Sequence, residues 1–237
     1  MRYNVEMENN IWSNPPLIKP IFKSSFEMPI PGSKRLIEIC FDPKSSFVED
    51  ASKEKVLSFL QNGYAYILSV LGEDAFINMK NMLRLKRQFN HDVKGGNEMS
   101  INVSRLESAG DLYTNELEQS LITHEILHHF FWEEHFSMFI EMIYMLDKGQ
   151  VRRFDVLKSI LQENRFAPPY LDGLSQISEW LGFDDIEKML EAFPSLDLTE
   201  LKRIFKEKYD EYCESDAELA GQLKNFKANL LSNVSGV

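Results

Sequence analysis

Cysteine is nearly absent from this chain: its 237 residues include only Cys40 and Cys213. Cys40 falls in an apolar, strand-like run and Cys213 in a charged, helix-like one, which fits a reducing cytosol better than a disulfide scaffold. Long apolar runs are also missing, and no segment has the length of a membrane span. The first ten residues lack a basic stretch followed by an apolar one, so no secretory signal is expected. Cations are outnumbered, with 26 Lys and Arg against 37 Asp and Glu and a net charge of −11. That balance argues against nucleic acid as the main partner. The basic cluster Arg84, Lys86, Arg87 and Lys94 reads first as a solvated strand end and loop, and second as a subsite for an acidic peptide. These absences leave a cytoplasmic protein with neither a nucleic-acid nor a membrane partner as the expectation. Histidine is scarce too, at five residues, yet four of the five fall between His124 and His135.

That run contains His124-Glu125-Ile126-Leu127-His128. On a helix, residues i and i+4 point the same way, so His124 and His128 can offer two imidazoles to one metal ion. Glu125 sits beside that face, where a carboxylate can act on a metal-activated water. At 100° per residue, Leu117, Leu121, His124, His128 and Phe131 share one stripe. Ile122, Ile126, Leu127 and Phe130 cover much of the rest, which predicts a helix buried nearly all round. The alternative is a helix that happens to carry surface histidines. A core-facing pair of histidines, however, needs partners.

A hydrophobic content of 43% with 12% aromatics suffices for one large domain, or for a catalytic domain with an appendage. Residues 1–33 carry Pro15, Pro16, Pro20, Pro29 and Pro31 and are read as an extended N-terminal arm, with a site-blocking propeptide as the other reading. Residues 35–41 read as a strand. Residues 50–71 read as an amphipathic helix with Val56, Phe59, Leu60, Tyr64, Ile67 and Leu71 inward. Residues 75–83 and 98–104 read as two further strands, the latter with Ser100, Asn102 and Ser104 on an exposed side. The motif helix is expected to start near Tyr113–Asn115 with Thr114 as its cap. A second helix runs from Glu133 to Leu146, and further helices cover 151–164, 173–182, 184–193 and 197–231. The resulting fold class is α+β: a small mixed sheet packed on the motif helix across 34–148, followed by a largely α-helical half across 149–237.

The His-Glu-x-x-His run resembles the zincin metallopeptidases. That resemblance implies Zn2+ as cofactor, His124 and His128 as ligands, Glu125 as catalytic general base, and a peptide or protein substrate. Two registers select the third ligand. A metzincin-like one, His-Glu-x-x-His-x-x-Gly-x-x-His/Asp, puts Glu134 in the ligand position and Phe131 where the pattern has glycine. A gluzincin-like one aligns Trp132, Glu134, Ser137, Phe139 and Glu141 with a run that supplies a glutamate ligand, and here His135 stands in place of a glycine. Glu134 therefore ranks first, His135 second and Glu141 third. On a straight helix residues 124 and 135 would lie roughly 16 Å apart along the axis. The helix must therefore break between about His129 and Glu133, where no Gly or Pro marks a break. His129 is expected in a supporting or surface role and His91 in an exposed loop. The resemblance also implies an oxyanion donor from the downstream half, for which Tyr144 and Tyr170 are available, and an edge at residues 98–104 for an extended substrate. Met138, Met142 and Met145 read as ordinary core, or as a floor beneath a metal. A non-catalytic zincin-like zinc-binding or interaction module is the competing reading.

Overall fold

The computed structural model describes residues 25–41, 50–73, 75, 82–87, 92–94, 98–108, 110–130 and 133–215. Residues 1–24 of the expected arm, His91, Phe131, Trp132, most of the expected strand at 75–83 and residues 216–231 of the expected last helix lie outside these, as do the side chains of the basic cluster.

The described chain begins with a hairpin of β1 (Ser25–Pro29) and β2 (Leu36–Phe41). Its turn closes through Ser33 N–H to Ile30 O and Ile30 N–H to Arg35 O, with Gly32 at a φ of +83° that a side chain would resist. Part of the expected arm is thus an antiparallel edge strand. Pro29 is tolerated at its last position because an edge strand can spare a donor. After β2 comes helix α1 (Asp50–Leu71), then β3 (Met82–Arg87), a short β4 (Asp92–Lys94) and β5 (Glu98–Ile101). The strand order is β1-β2-β3-β5-β4. The three inner strands run parallel, and the two edges run antiparallel to their neighbours.

Apolar residues at every second position build one sheet face: Met28, Ile37, Ile39, Leu83, Leu85, Met99 and Ile101 are all buried. The six residues expected inward on α1 are buried as well and belong to the same core. Two expectations for β5 are corrected. It is an inner strand, because β4 pairs along its outer side, and Ser100 is accordingly buried. It also ends at Ile101. Asn102 Oδ1 accepts from Arg105 N–H at 3.0 Å, a capping bond that turns the chain into helix α2 (Val103–Ser108).

The motif helix α3 (Leu112–His128) starts three residues before Thr114 would have placed it. Its cap is Asp111, whose carboxylate accepts from both the backbone N–H and the hydroxyl of Thr114. Helix α3 packs mainly on α1 and on α4 (Glu134–Asp147) and touches the sheet along β4, so the sheet is not its principal support. The contact with α1 is close: a Cβ on Gly63 would fall 2.4 Å from Ile126 Cδ1. Valine at position 63 would regain only a few tenths of a kcal/mol of helix propensity while driving methyls into Ile126 and Thr123. We expect Gly63→Val to lose about 2 kcal/mol, read as a lower denaturant midpoint at unchanged slope. An unchanged midpoint would mean that α1 and α3 do not approach here.

The remaining helices are α5 (Arg152–Gln162), α6 (Pro168–Trp180), α7 (Ile186–Ala192) and α8 (Leu198–Ser215). Helix α6 begins earlier than its periodicity suggests because Pro168 and Pro169 fit its first turn, where no backbone donor is needed. Helices α6 and α8 pack on α4. Buried residues from Met28 to Cys213 form one contiguous cluster that continues past position 149. No described helix is long and apolar enough to cross a membrane.

Candidate metal centre

Helix α3 presents His124 and His128 one turn apart, both buried, with Nε2 atoms 3.2 Å from each other. Its last turn then tightens: His129 N–H bonds to Ile126 O and Phe130 N–H to Leu127 O, a 3-10 pattern that ends the helix without glycine or proline. Glu133 resumes in extended conformation, with φ −70° and ψ 112°, and α4 starts at Glu134. The expected break is therefore present, and α4 folds back along α3. Glu134 Oε1 comes to 3.2 Å from His124 Nε2, and Oε2 to 3.3 Å from His128 Nε2.

Among the described residues, His124, His128 and Glu134 form a group able to hold a metal ion. Donor atoms about 2.05 Å from a tetrahedral ion stand about 3.3 Å from one another. The two Nε2 atoms stand 3.2 Å apart and each faces a different oxygen of the Glu134 carboxylate, while one donor atom from each of the three residues lies within 4.8 Å of the others. Hydrogen bonding alone satisfies the cluster poorly. Glu134 Oε1 is within ion-pair distance of His124 but out of line for a hydrogen bond, and it is buried without another partner. A cation among the three would satisfy all of them.

Helix α4 also supplies the outer supports. His124 Nδ1 lies 2.9 Å from Glu141 Oε2, and His128 Nδ1 lies 3.3 Å from Ser137 Oγ. Glu134, Ser137 and Glu141 follow i, i+3, i+7 spacing, so one stripe of α4 carries the third candidate ligand and the hydrogen-bond partners of the two histidines. Glu141, ranked as a possible ligand, instead orients His124. Ser137 stands in the sequence only as one position of the gluzincin-like alignment, although the same stripe spacing marks it as a partner for His128. Outer partners of this kind fix the tautomer and tilt of a ligating imidazole. Glu141→Ala is expected to weaken zinc binding about 10-fold or more in chelator competition while leaving the stoichiometry near one. Unaltered affinity would make the 2.9 Å contact incidental.

The remaining histidines and tyrosines separate clearly. His135 packs edge-on against Trp180 with ring centroids 5.0 Å apart, outside the ligand group, and burial lowers its pKa. His129 is buried on the α1 side, its Nδ1 2.8 Å from the Tyr64 hydroxyl. Tyr144 is turned away to donate to Glu116 Oε2 at 2.6 Å. The ring of Tyr170, 40% exposed on the first turn of α6, lies within 20° of parallel to His124 with centroids 6.4 Å apart. Met138, Met142 and Met145 are core residues, and Met138 faces Gly173 of α6.

Burial by itself would lower the pKa of His124. The Glu134 and Glu141 carboxylates beside its ring, with the nearby Glu125 charge, reverse this and raise it to about 10. Burial would likewise raise Glu134, but the two histidines bring it down to about 2. The surrounding carboxylates thus favour the protonated form of His124, and metal binding to an imidazole competes with its proton. Glu125, half-buried on α3, is next to His124 in sequence and close enough for its charge to be felt there.

The chain matches no protein-family model, no curated protein and no solved structure.

Proposed function

We propose that this protein is a zinc-dependent peptidase, with His124, His128 and Glu134 as ligands and Glu125 as general base. The observation that carries this reading is the convergence of His124, His128 and Glu134, with one donor atom of each within 4.8 Å of the others, beside Glu125. The group contains three potential ligands among the described residues, and a catalytic zinc keeps its fourth place for water or substrate, whereas a structural zinc fills all four with protein. Zinc in such a site makes water acidic enough to deprotonate near neutral pH and polarises a carbonyl.

The chain's own residues would do the rest. The Glu125 carboxylate takes the proton of the attacking water and later delivers it to the leaving amine. Glu141 and Ser137 keep the two imidazoles turned with their Nε2 atoms inward. Tyr170 gains a positional argument that Tyr144 lacks. The Pro168-Pro169 start of α6 sets its ring near-parallel to His124 with centroids 6.4 Å apart, which makes it the tyrosine to test as donor to the developing oxyanion. An extended substrate would pair with β4, the strand that forms the sheet edge and runs beside α3, rather than with β5.

The test is digestion of a mixed peptide library by zinc-loaded protein, with Glu125→Gln in parallel. Cleavage by the wild type alone is expected. Equal cleavage by both would remove Glu125 from the mechanism. Zinc binding with no cleavage by either would favour the non-catalytic reading.

A further inference from the structure

The first turn of α4 carries the third proposed ligand. Glu133, the cap residue, makes no side-chain bond to the helix end. Its Oε1 instead accepts from the Tyr212 hydroxyl at 2.6 Å, across 79 residues of sequence, from helix α8. The rings on the following residues are gripped from the same side. Phe136 lies 5.5 Å from Tyr212, 6.0 Å from Phe205 and 5.3 Å from Trp180. On the α6 side Gly173 comes so close that a Cβ there would be 3.3 Å from the His135 backbone nitrogen. The turn holding Glu134 is therefore clamped from outside, by helices that contribute no ligand.

We propose that Tyr212 is a positioning residue for the metal site: by anchoring Glu133 to α8, its hydroxyl fixes the first turn of α4 so that Glu134 meets the two histidines. This rests on the reading of His124, His128 and Glu134 as a metal site. A ligand must be held within about 0.5 Å of its working position, and a carboxylate one residue from an anchored neighbour inherits that anchor's precision. The helical half thus acts on the site from its rim, with the Tyr212 hydroxyl as the polar contact among the apolar ones.

The experiment follows metal loss to a chelator from protein loaded with Zn2+, and from Co2+-loaded protein whose visible spectrum reports ligand geometry. The variants are Tyr212→Phe, Glu133→Ala, the double variant and Tyr209→Phe. Tyr209 lies one turn away on the same helix and its ring also meets Phe136, with centroids 6.4 Å apart, but its hydroxyl donates to Ala75 O at 3.4 Å, so Tyr209→Phe keeps the ring contact and removes an α8 bond that does not reach α4. We expect Tyr212→Phe and Glu133→Ala each to release metal about 10-fold faster and to shift the Co2+ bands. The double variant should be no faster than either single one, because both remove the same contact. Tyr209→Phe should lower the melting temperature while leaving release rate and spectrum at wild-type values. Equal behaviour of Tyr212→Phe and Tyr209→Phe, or multiplied effects in the double variant, would overturn the proposal and leave the metal site standing. A Tyr212→Phe protein that does not fold would leave Glu133→Ala to decide. Wild-type protein that takes up neither ion would overturn the site and the buttress together.

Discussion

Replacing Glu125 by glutamine should leave one zinc per chain and reduce peptide hydrolysis by about 10³-fold, or about 4 kcal/mol of barrier. Glutamine matches glutamate in shape, so α3 and the packing around it survive. It cannot accept the proton that a neutral water must lose before attacking a carbonyl. Glu125 is also outside the ligand group, which is why metal content should not follow activity down. Elemental analysis and initial rates on the same preparation separate the two quantities. A variant that loses zinc would show that Glu125 holds the metal or the fold instead. A variant that retains its rate would require another base.

His128→Ala should act on the other quantity. Zinc should fall from about one per chain to near none, because two donors remain where a tetrahedral ion needs at least three. Stability in the presence of zinc should fall with it. A ligand at about a thousand times its dissociation constant adds about 4 kcal/mol to the folded state, and the variant loses that increment. Wild type should therefore melt higher with added zinc, and His128→Ala should melt at one temperature with or without it. His135→Ala is the informative partner. Its ring packs on Trp180, so that variant should keep its zinc. Zinc retained in His128→Ala and lost in His135→Ala would reassign the site.

Much of this centre could be read from the chain because its chemistry is local. The i, i+4 histidine pair and the inward set of α1 depend only on helical period, and tertiary packing uses both as expected. Glu134 could be chosen from the spacing of the run, but the turn that delivers it could not. Helix α3 stops after His128 without a breaking residue, and the start of α4 is held from α6, α8 and the Tyr212 contact, all distant in sequence. The fate of β5 was hidden for a similar reason. A strand's own alternation says which side is apolar, not whether another strand will pair along its edge, and the three residues of β4 are too few to announce themselves. Thr114 was a reasonable cap by residue type. Asp111 prevails because its carboxylate takes both the amide and the hydroxyl of Thr114. The role of Glu141 is likewise a matter of helix pairing, since the spacing to His124 along the chain says nothing about which ring nitrogen it will meet.

The uninterrupted core has a consequence for how such a protein can be divided or inherited. Helix α4 buries Phe136 and Phe139 against rings of α6 and α8, so a fragment ending near residue 148 would keep every proposed ligand and still expose much of the surface that folds them together. The stretch that carries the proposed ligands is not a portable cassette. Grafted or trimmed without the helices that follow it, it would lose the rings that pack α4, and sequence change in α8 would be felt at the proposed site.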